Sequence, residues 1–151
     1  MLRHKRQRQI RILRSIINTG NRKLLLMVGL NFKEIAELFS SGKFSEVENY
    51  LSDDIVWNIY EEKQIITGKQ PVIEFMKKIG NYFDSVTTKF ETFGVLEDGD
   101  KVAIYGRAGF IRGSTTVNTV YSCDIYIFNP FGKIKKVHSY CNSNRPQINF
   151  K

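Results

Sequence analysis

From residue 87 onward the chain alternates. The stretches "TTKFETFGVL", "KVAIYGRAGFIR", "TVNTVYSCDIYIF" and "GKIKKVHSY" carry apolar or aromatic side chains at nearly every second position. That is the period of a strand whose successive side chains point to opposite faces. The breaks between them are short: "EDGD" (97–100), Gly113, Ser114 and Thr115, then "NPFG" (129–132). Turns of this kind join antiparallel neighbours. A meander of four long antiparallel strands therefore fills the C-terminal part, and whatever precedes it must cover this sheet or lie outside it.

The preceding segment is helical in pattern. "NFKEIAELFSSG" reads as a helix that Asn31 caps, with Glu34 at the reciprocal position. Phe32, Ile35, Ala36 and Phe39 form its apolar face, and Gly42 ends it. "FSEVENYLSDD" reads as a second, short helix with Ser45 as cap and Phe44, Val47 and Leu51 turned inward. "IVWNIYE" (55–61) is the first strand, and "EEKQ" an exposed loop. "GKQPVIEFMKKIG" is a third helix with Pro71 in its first turn, a stripe of Val72, Phe75, Met76 and Ile79, and a stop at Gly80. Three helices and an early strand before an antiparallel meander make an α+β domain.

The net charge of +8 points to nucleic acid until it is located. Residues 1–26 hold eight of the 23 basic residues and no acidic one; the other 15 basic residues balance the 15 acidic ones. The expected organisation is a poorly ordered basic extension over 1–26 and one neutral domain over 27–151, with no nucleic acid bound through the domain. Ile10, Leu13 and Ile17 lie at helical spacing, so the leader also fits an amphipathic segment on an anionic membrane, or a nucleic-acid arm. Starting the chain at Met27 is expected to leave the domain folded. The longest apolar run, "LLLMVGL", is far below the ~18 residues of a membrane span. Cys123 and Cys141 show neither zinc spacing nor a disulfide framework. A reducing, cytoplasmic setting is the default expectation, with no metal and no cofactor.

Pairing arithmetic separates the two faces of the meander. If "NPFG" pairs Asn129 with Gly132, Asp124 lies opposite Val137 and Ser122 opposite Ser139. Across the preceding turn Asp124 lies opposite Ile104 and Ser122 opposite Gly106. One face then carries Val102, Ile104, Phe110, Ser122, Asp124, Tyr126, Val137 and Ser139. The other carries Ala103, Tyr105, Arg107, Tyr121, Cys123, Ile125, Ile127, Ile134, His138 and Tyr140, with His138 opposite Cys123. Both are too apolar for open water. One should meet the helices and the other a second copy of the chain.

Taken in order, the helix–Gly–helix start, "DDIVW", "GKQPVIEFM", "DKVAIYGR" and "FNPFGKIKKVHSY" resemble the nuclear transport factor 2-like superfamily, in its SnoaL-like and ketosteroid-isomerase-related branch. The resemblance runs from residue 31 to about 143. It implies a cone-shaped α+β barrel, with three N-terminal helices packed on a strongly curved, mainly antiparallel sheet around a pocket, and dimerisation through the outer sheet face. It implies no single activity. In the isomerases a strand aspartate donates to the substrate oxyanion, and that position matches Asp124. Their general-base position falls on Ile59 and their oxyanion tyrosine on Ile35, and neither isoleucine can replace those groups.

Asp124 also stands on physical grounds. A carboxyl among Ile104 and Val137 is desolvated, which raises its pKa. A protonated carboxyl is a donor to a developing oxyanion, as in ketosteroid isomerase. The competing role is a structural hydrogen bond to Ser122, Ser139, Tyr126 or water. The expected ligand contacts are Trp57, Ile59, Phe75, Ile104, Phe110, Ser122, Tyr126, Val137 and Ser139. Glu61 is either a displaced base or the start of the exposed loop. Cys141 is expected beside Val120 as a packed thiol. Two readings follow: a cofactor-independent isomerase, cyclase or dehydratase acting on a small apolar carbonyl compound through Asp124, or a non-catalytic dimeric module that binds a ligand or protein.

Overall fold

The computed structural model describes residues 29–143; the leader, its apolar stripe and Met27 lie outside them. Helix α1 (Phe32–Ser40) opens with the capping box expected from Asn31 and Glu34: the Asn31 side chain accepts from the Glu34 N–H at 2.9 Å, and the Glu34 carboxylate accepts from the Asn31 N–H at 2.8 Å. Ile35, Ala36 and Phe39 are buried. The chain turns at Gly42, whose φ of +75° suits glycine and whose missing side chain makes room for the Phe83 ring, 2.8 Å from where a Cβ would stand.

Helix α2 (Phe44–Val47) is a single turn followed by a 3-10 turn (Glu48–Tyr50). Ser45 lies inside it and caps nothing; Lys43 holds the cap position without a side-chain bond. Strand β1 (Leu51–Ile59) starts four residues before the expected boundary, because Leu51 pairs with Ile134 and is buried there. Asp53 and Asp54 therefore sit exposed in a strand rather than at a helix end. A tight turn with Lys63 at φ +50° leads into strand β2 (Gln64–Thr67), where the sequence pattern reads as loop. Ile66, opposite Trp57, is its one buried residue.

Helix α3 (Lys69–Asp84) runs through Gly80. A glycine costs a helix interior only about 1 kcal/mol, and here the apolar spacing continues from Ile79 to Phe83, which packs on Phe44, Phe90 and Phe110. Tertiary packing overrides the stop signal. Strands β3 (Thr87–Asp98), β4 (Lys101–Arg112), β5 (Thr115–Phe128) and β6 (Ile134–Ser143) form the meander.

The six strands make one sheet in the order β2-β1-β6-β5-β4-β3. All pairings are antiparallel except β1 with β6, where Trp57 lies beside Val137 and Ile59 beside Ser139. The sheet stays open, with β2 and β3 at its edges. Register irregularities at Thr92/Gly94, Phe110/Ile111 and Ile127/Phe128 bend it. The core sits between α1, α3 and the concave face, with Tyr126, Phe128, Ile104 and Val137 meeting Ile35, Val72 and Met76. This is the cone-shaped α+β architecture.

The pairing of β4 with β5 follows the expected arithmetic at Asp124, opposite Ile104, and at Ser122, opposite Gly106. The pairing of β5 with β6 does not. Asp124 lies opposite Ser139, not Val137, and Ser122 opposite Cys141, not Ser139. The cause is Asn129, whose side chain accepts from the N–H groups of both Phe131 and Lys133 at 3.0 Å and widens the turn to residues 129–133. The slip is two residues over most of the pair, so the faces survive. Ile134 is the exception: the bulge at Phe128 turns it into the core. His138 lies opposite Ile125, not Cys123.

Candidate functional site

The concave face and the helices line an open cavity of about 260 Å³. Its floor is the concave face of the meander: Ala108, Phe110, Val120, Ser122, Asp124 and Tyr126 of β4 and β5, with Ser139 and Cys141 of β6. Helix α1 supplies Phe39 and Ser40; α3 supplies Phe75, Ile79 and Phe83. Trp57 and Ile59 come from β1, Phe44 from α2 and Phe90 from β3. Glu61, exposed Glu62 and Ser143 stand where the cavity meets solvent.

Of the expected ligand contacts, Trp57, Ile59, Phe75, Phe110, Ser122, Tyr126 and Ser139 line this cavity. Ile104 and Val137 do not. Val137 is wholly buried in the core, and Ile104 borders a separate small recess of about 70 Å³ beside Gly106 and Arg107. Each is buried by its neighbours: Val137 between Trp57 and Tyr126, and Ile104, although opposite Asp124, beside that recess.

Asp124 is on the wall. Burial pushes its carboxyl up to about 6, against a smaller downward pull from its hydrogen bond with Ser139. The residue retains part of its accessible surface, and that surface faces the cavity, so exposure and desolvation coexist. Ser139 is itself buried and receives a 2.8 Å hydrogen bond from the Trp57 indole N–H. With one lone pair taken by the indole, the Ser139 O–H is free to point at Asp124. The chain Trp57–Ser139–Asp124 thus fixes the carboxyl from behind. It depends on the parallel contact of β1 with β6, for which local sequence carries no signal.

The Tyr126 hydroxyl is fully buried and finds no partner at hydrogen-bonding geometry. Burial and then the Asp124 charge hold its pKa well above the ordinary range; neighbouring Ser40 eases the shift without making a full bond. Tyr126 therefore stays a neutral phenol. Cys141 lines the cavity beside Val120, as expected, and burial pushes its thiol up to about 12, so it is not a nucleophile at neutral pH. Cys123 lies on the opposite face, and both cysteines are free.

Glu61 is not an ordinary exposed loop residue. Its carboxylate accepts from the Ser143 N–H and hydroxyl, each at 2.9 Å, tying the end of β6 to the rim. Of the two isoleucines expected at the isomerases' base and tyrosine positions, Ile59 is on the wall and Ile35 in the core. His138 is outside the cavity; its Nδ1 lies 2.8 Å from the Tyr60 hydroxyl on the outer face, and burial lowers its pKa. Among the described residues no group of three His, Cys, Asp or Glu side chains is placed to hold a metal ion, and no helix is long and apolar enough to cross a membrane.

A search of curated proteins found no match. The family model described as "SnoaL-like domain" matches residues 32–137. Among solved structures, an NTF2-like protein of unknown function from Cytophaga hutchinsonii is 31% identical, with a TM-score of 0.63 over 73% of this chain and 95% of that one. A SnoaL-like protein of unknown function from Burkholderia thailandensis shares the fold at 14% identity, with a TM-score of 0.55 over 73% of this chain and 90% of that one. A domain match over most of the cone, joined to that identity over nearly the whole of a solved NTF2-like chain, identifies this protein as a member of the SnoaL-like family within the NTF2-like superfamily.

Proposed function

We propose that the protein binds a small, mostly apolar, carbonyl-bearing molecule in the aromatic cavity and acts on it through Asp124. The reaction would be an isomerisation, cyclisation or dehydration drawing on no cofactor. The observation that carries this reading is a cavity-wall carboxyl with a pKa of about 6. Near neutral pH most of it is carboxylate and can take a proton; the remainder is protonated and can donate to a developing oxyanion. The Trp57–Ser139 chain supports it by restricting how the carboxyl turns.

Carboxyl-resolved NMR titration of the protein and its Asp124→Asn variant tests the proposal. The expected midpoint is near 6, and the variant should lose about a hundredfold or more in turnover while still binding ligand. The proposal fails if Asp124 titrates near the ordinary ~4 and the variant changes neither binding nor turnover.

A second reading, a non-catalytic binding module, is favoured by one specific observation: Ile59, expected at the isomerases' base position by resemblance, puts an inert side chain on the wall. In either case we propose a homodimer through the outer sheet face. Tyr60 and Tyr140 stack there with ring centroids 4.5 Å apart, while Phe93 contacts Tyr105 and Tyr121. All five rings are more than 40% exposed in the single chain, an apolar patch of the kind that marks an interface. The segment from residue 27 on is proposed to fold without the basic leader; loss of a cooperative melt in a chain starting at Met27 would sink that idea. Co-sedimentation with anionic vesicles tests whether residues 1–26 touch membranes.

A further inference from the structure

The charge of the cavity wall limits what can enter. Three carboxyl groups line it, Asp124 at depth and Glu61 and Glu62 toward solvent, and no Lys, Arg or His does. Two other titratable groups face Asp124: the Tyr126 hydroxyl on its own strand and the Cys141 thiol on β6. Burial keeps both uncharged near neutral pH. The helices bring no titratable group to the wall; α1 gives Phe39 and Ser40, and α3 gives Phe75, Ile79 and Phe83. Strands β3 and β4 bring Phe90, Ala108 and Phe110.

Much of the remaining wall is aromatic. The Trp57 ring meets Phe39 at 5.0 Å and Phe75 at 5.4 Å, and Phe83 stacks on Phe110 at 5.6 Å. Ring faces attract cations and repel anions, and carboxylates do the same by charge. Asp124 makes no ion pair among the described residues; its side-chain partner is Ser139. A desolvated carboxylate without a cation is a costly arrangement that a ligand can complete.

Size narrows the class. A cavity of about 150 Å³ holds one benzene ring, whereas pockets for drug-sized ligands measure about 300–1,000 Å³. The 260 Å³ here suits one ring with a short substituent, and a larger ligand would extend out past the Glu61 rim.

We propose that the cavity selects a small organic cation: one aromatic or alicyclic ring bearing an amine or quaternary ammonium group, with the ring among the phenylalanines and the charge beside Asp124. This rests on the reading of the cavity as a ligand site and adds the ligand's charge and size. A ring ketone carrying an amine satisfies both.

Trp57, the single tryptophan of the chain, reports binding from the wall by its fluorescence. Three probes of similar shape separate the possibilities on the full chain: benzyltrimethylammonium, its uncharged isostere neopentylbenzene, and phenylacetate. At pH 8 the ammonium probe should bind at least tenfold tighter than the isostere, and phenylacetate should not bind. The preference should shrink as pH falls through about 6, and should drop below threefold in Asp124→Asn. If that variant does not fold, the pH dependence of the unaltered protein decides the same question. Equal or tighter binding of the isostere or the anion overturns the cation proposal and leaves a ligand site standing. Silence from all three probes overturns the cation proposal, and the carboxyl titration then decides the proposed function separately.

Discussion

The two faces of the meander use aromatic side chains in opposite ways. Inside, the rings are mostly phenylalanine: Phe39, Phe44, Phe75, Phe83 and Phe110 surround the cavity. Outside, they are mostly tyrosine: Tyr60, Tyr105, Tyr121 and Tyr140, with Phe93 among them. A phenylalanine wall gives a buried polar group nothing to bond, so Asp124 is left to Ser139. A tyrosine face packs apolar ring bodies while keeping polar tips that water or a partner can satisfy. The same two-residue alternation thus builds a site that perturbs a carboxyl on one side and a surface fit for self-association on the other.

The sharpest way to break this contrast is at two glycines of β4. A Cβ on inward Gly106 would stand 2.2 Å from the Glu91 carbonyl oxygen, whereas one on Gly109 meets nothing within 4 Å. Gly106→Val should cost about 4 kcal/mol or more in denaturant unfolding, and Gly109→Val no more than about 1 kcal/mol. Comparable losses would refute the close approach of β3 to β4 at that point.

Asp124→Asn comes next. Its folded pKa of about 6 lies above the ordinary 3.8, so stability is full below pH 3.8 and is lost as pH rises through about 6. The Asn variant escapes that loss. At pH 8 it should be more stable than the parent by on the order of 3 kcal/mol, with little difference attributable to ionisation at pH 3.5. Thermal melts at the two pH values check this; a pH-independent difference would show that Asp124 is not desolvated.

Hydroxyl removal is a finer probe. Tyr126→Phe deletes a buried hydroxyl without a partner and should stabilise by about 1 kcal/mol. The outward Tyr105→Phe should stay within about 0.5 kcal/mol. Smallest in monomer stability, yet decisive for assembly, is Tyr140→Glu. It should alter folding of the isolated chain by about 0.5 kcal/mol or less while reducing a dimeric sedimentation coefficient to that of a monomer.

Face membership was legible because a period of two survives turns of uncertain length. Even the "NPFG" turn, wider than its four residues suggest, shifted most of β6 by two residues, leaving Ser139 and Cys141 on the side expected for them. Its width was hidden because it depends on the Asn129 side chain serving two backbone donors. Asp124 was legible as a carboxyl in an apolar strand. The Trp57–Ser139 support behind it was not, since it joins residues 82 apart through a parallel contact. Ile104 and Val137 showed the limit of reading a wall from a face: they share the face with Asp124 but are buried by neighbouring side chains. Strand β2 escaped because four residues with one buried side chain carry too little pattern.

The parallel seam between β1 and β6 has a further effect on how the chain acquires its form. Strand β2 can pair with one edge of β1 early, but the other edge of the strand carrying Trp57 waits for the last strand of the meander. Contacts across so long a loop are slow to form, and during synthesis the helices and β1 leave the ribosome well before β6 exists. The phenylalanine side of α1 and α3 is therefore incompletely covered during that interval, when partly formed chains are prone to aggregate. Substitutions that loosen the seam should show first as a poorer yield of soluble protein, before any change in what the finished cavity binds.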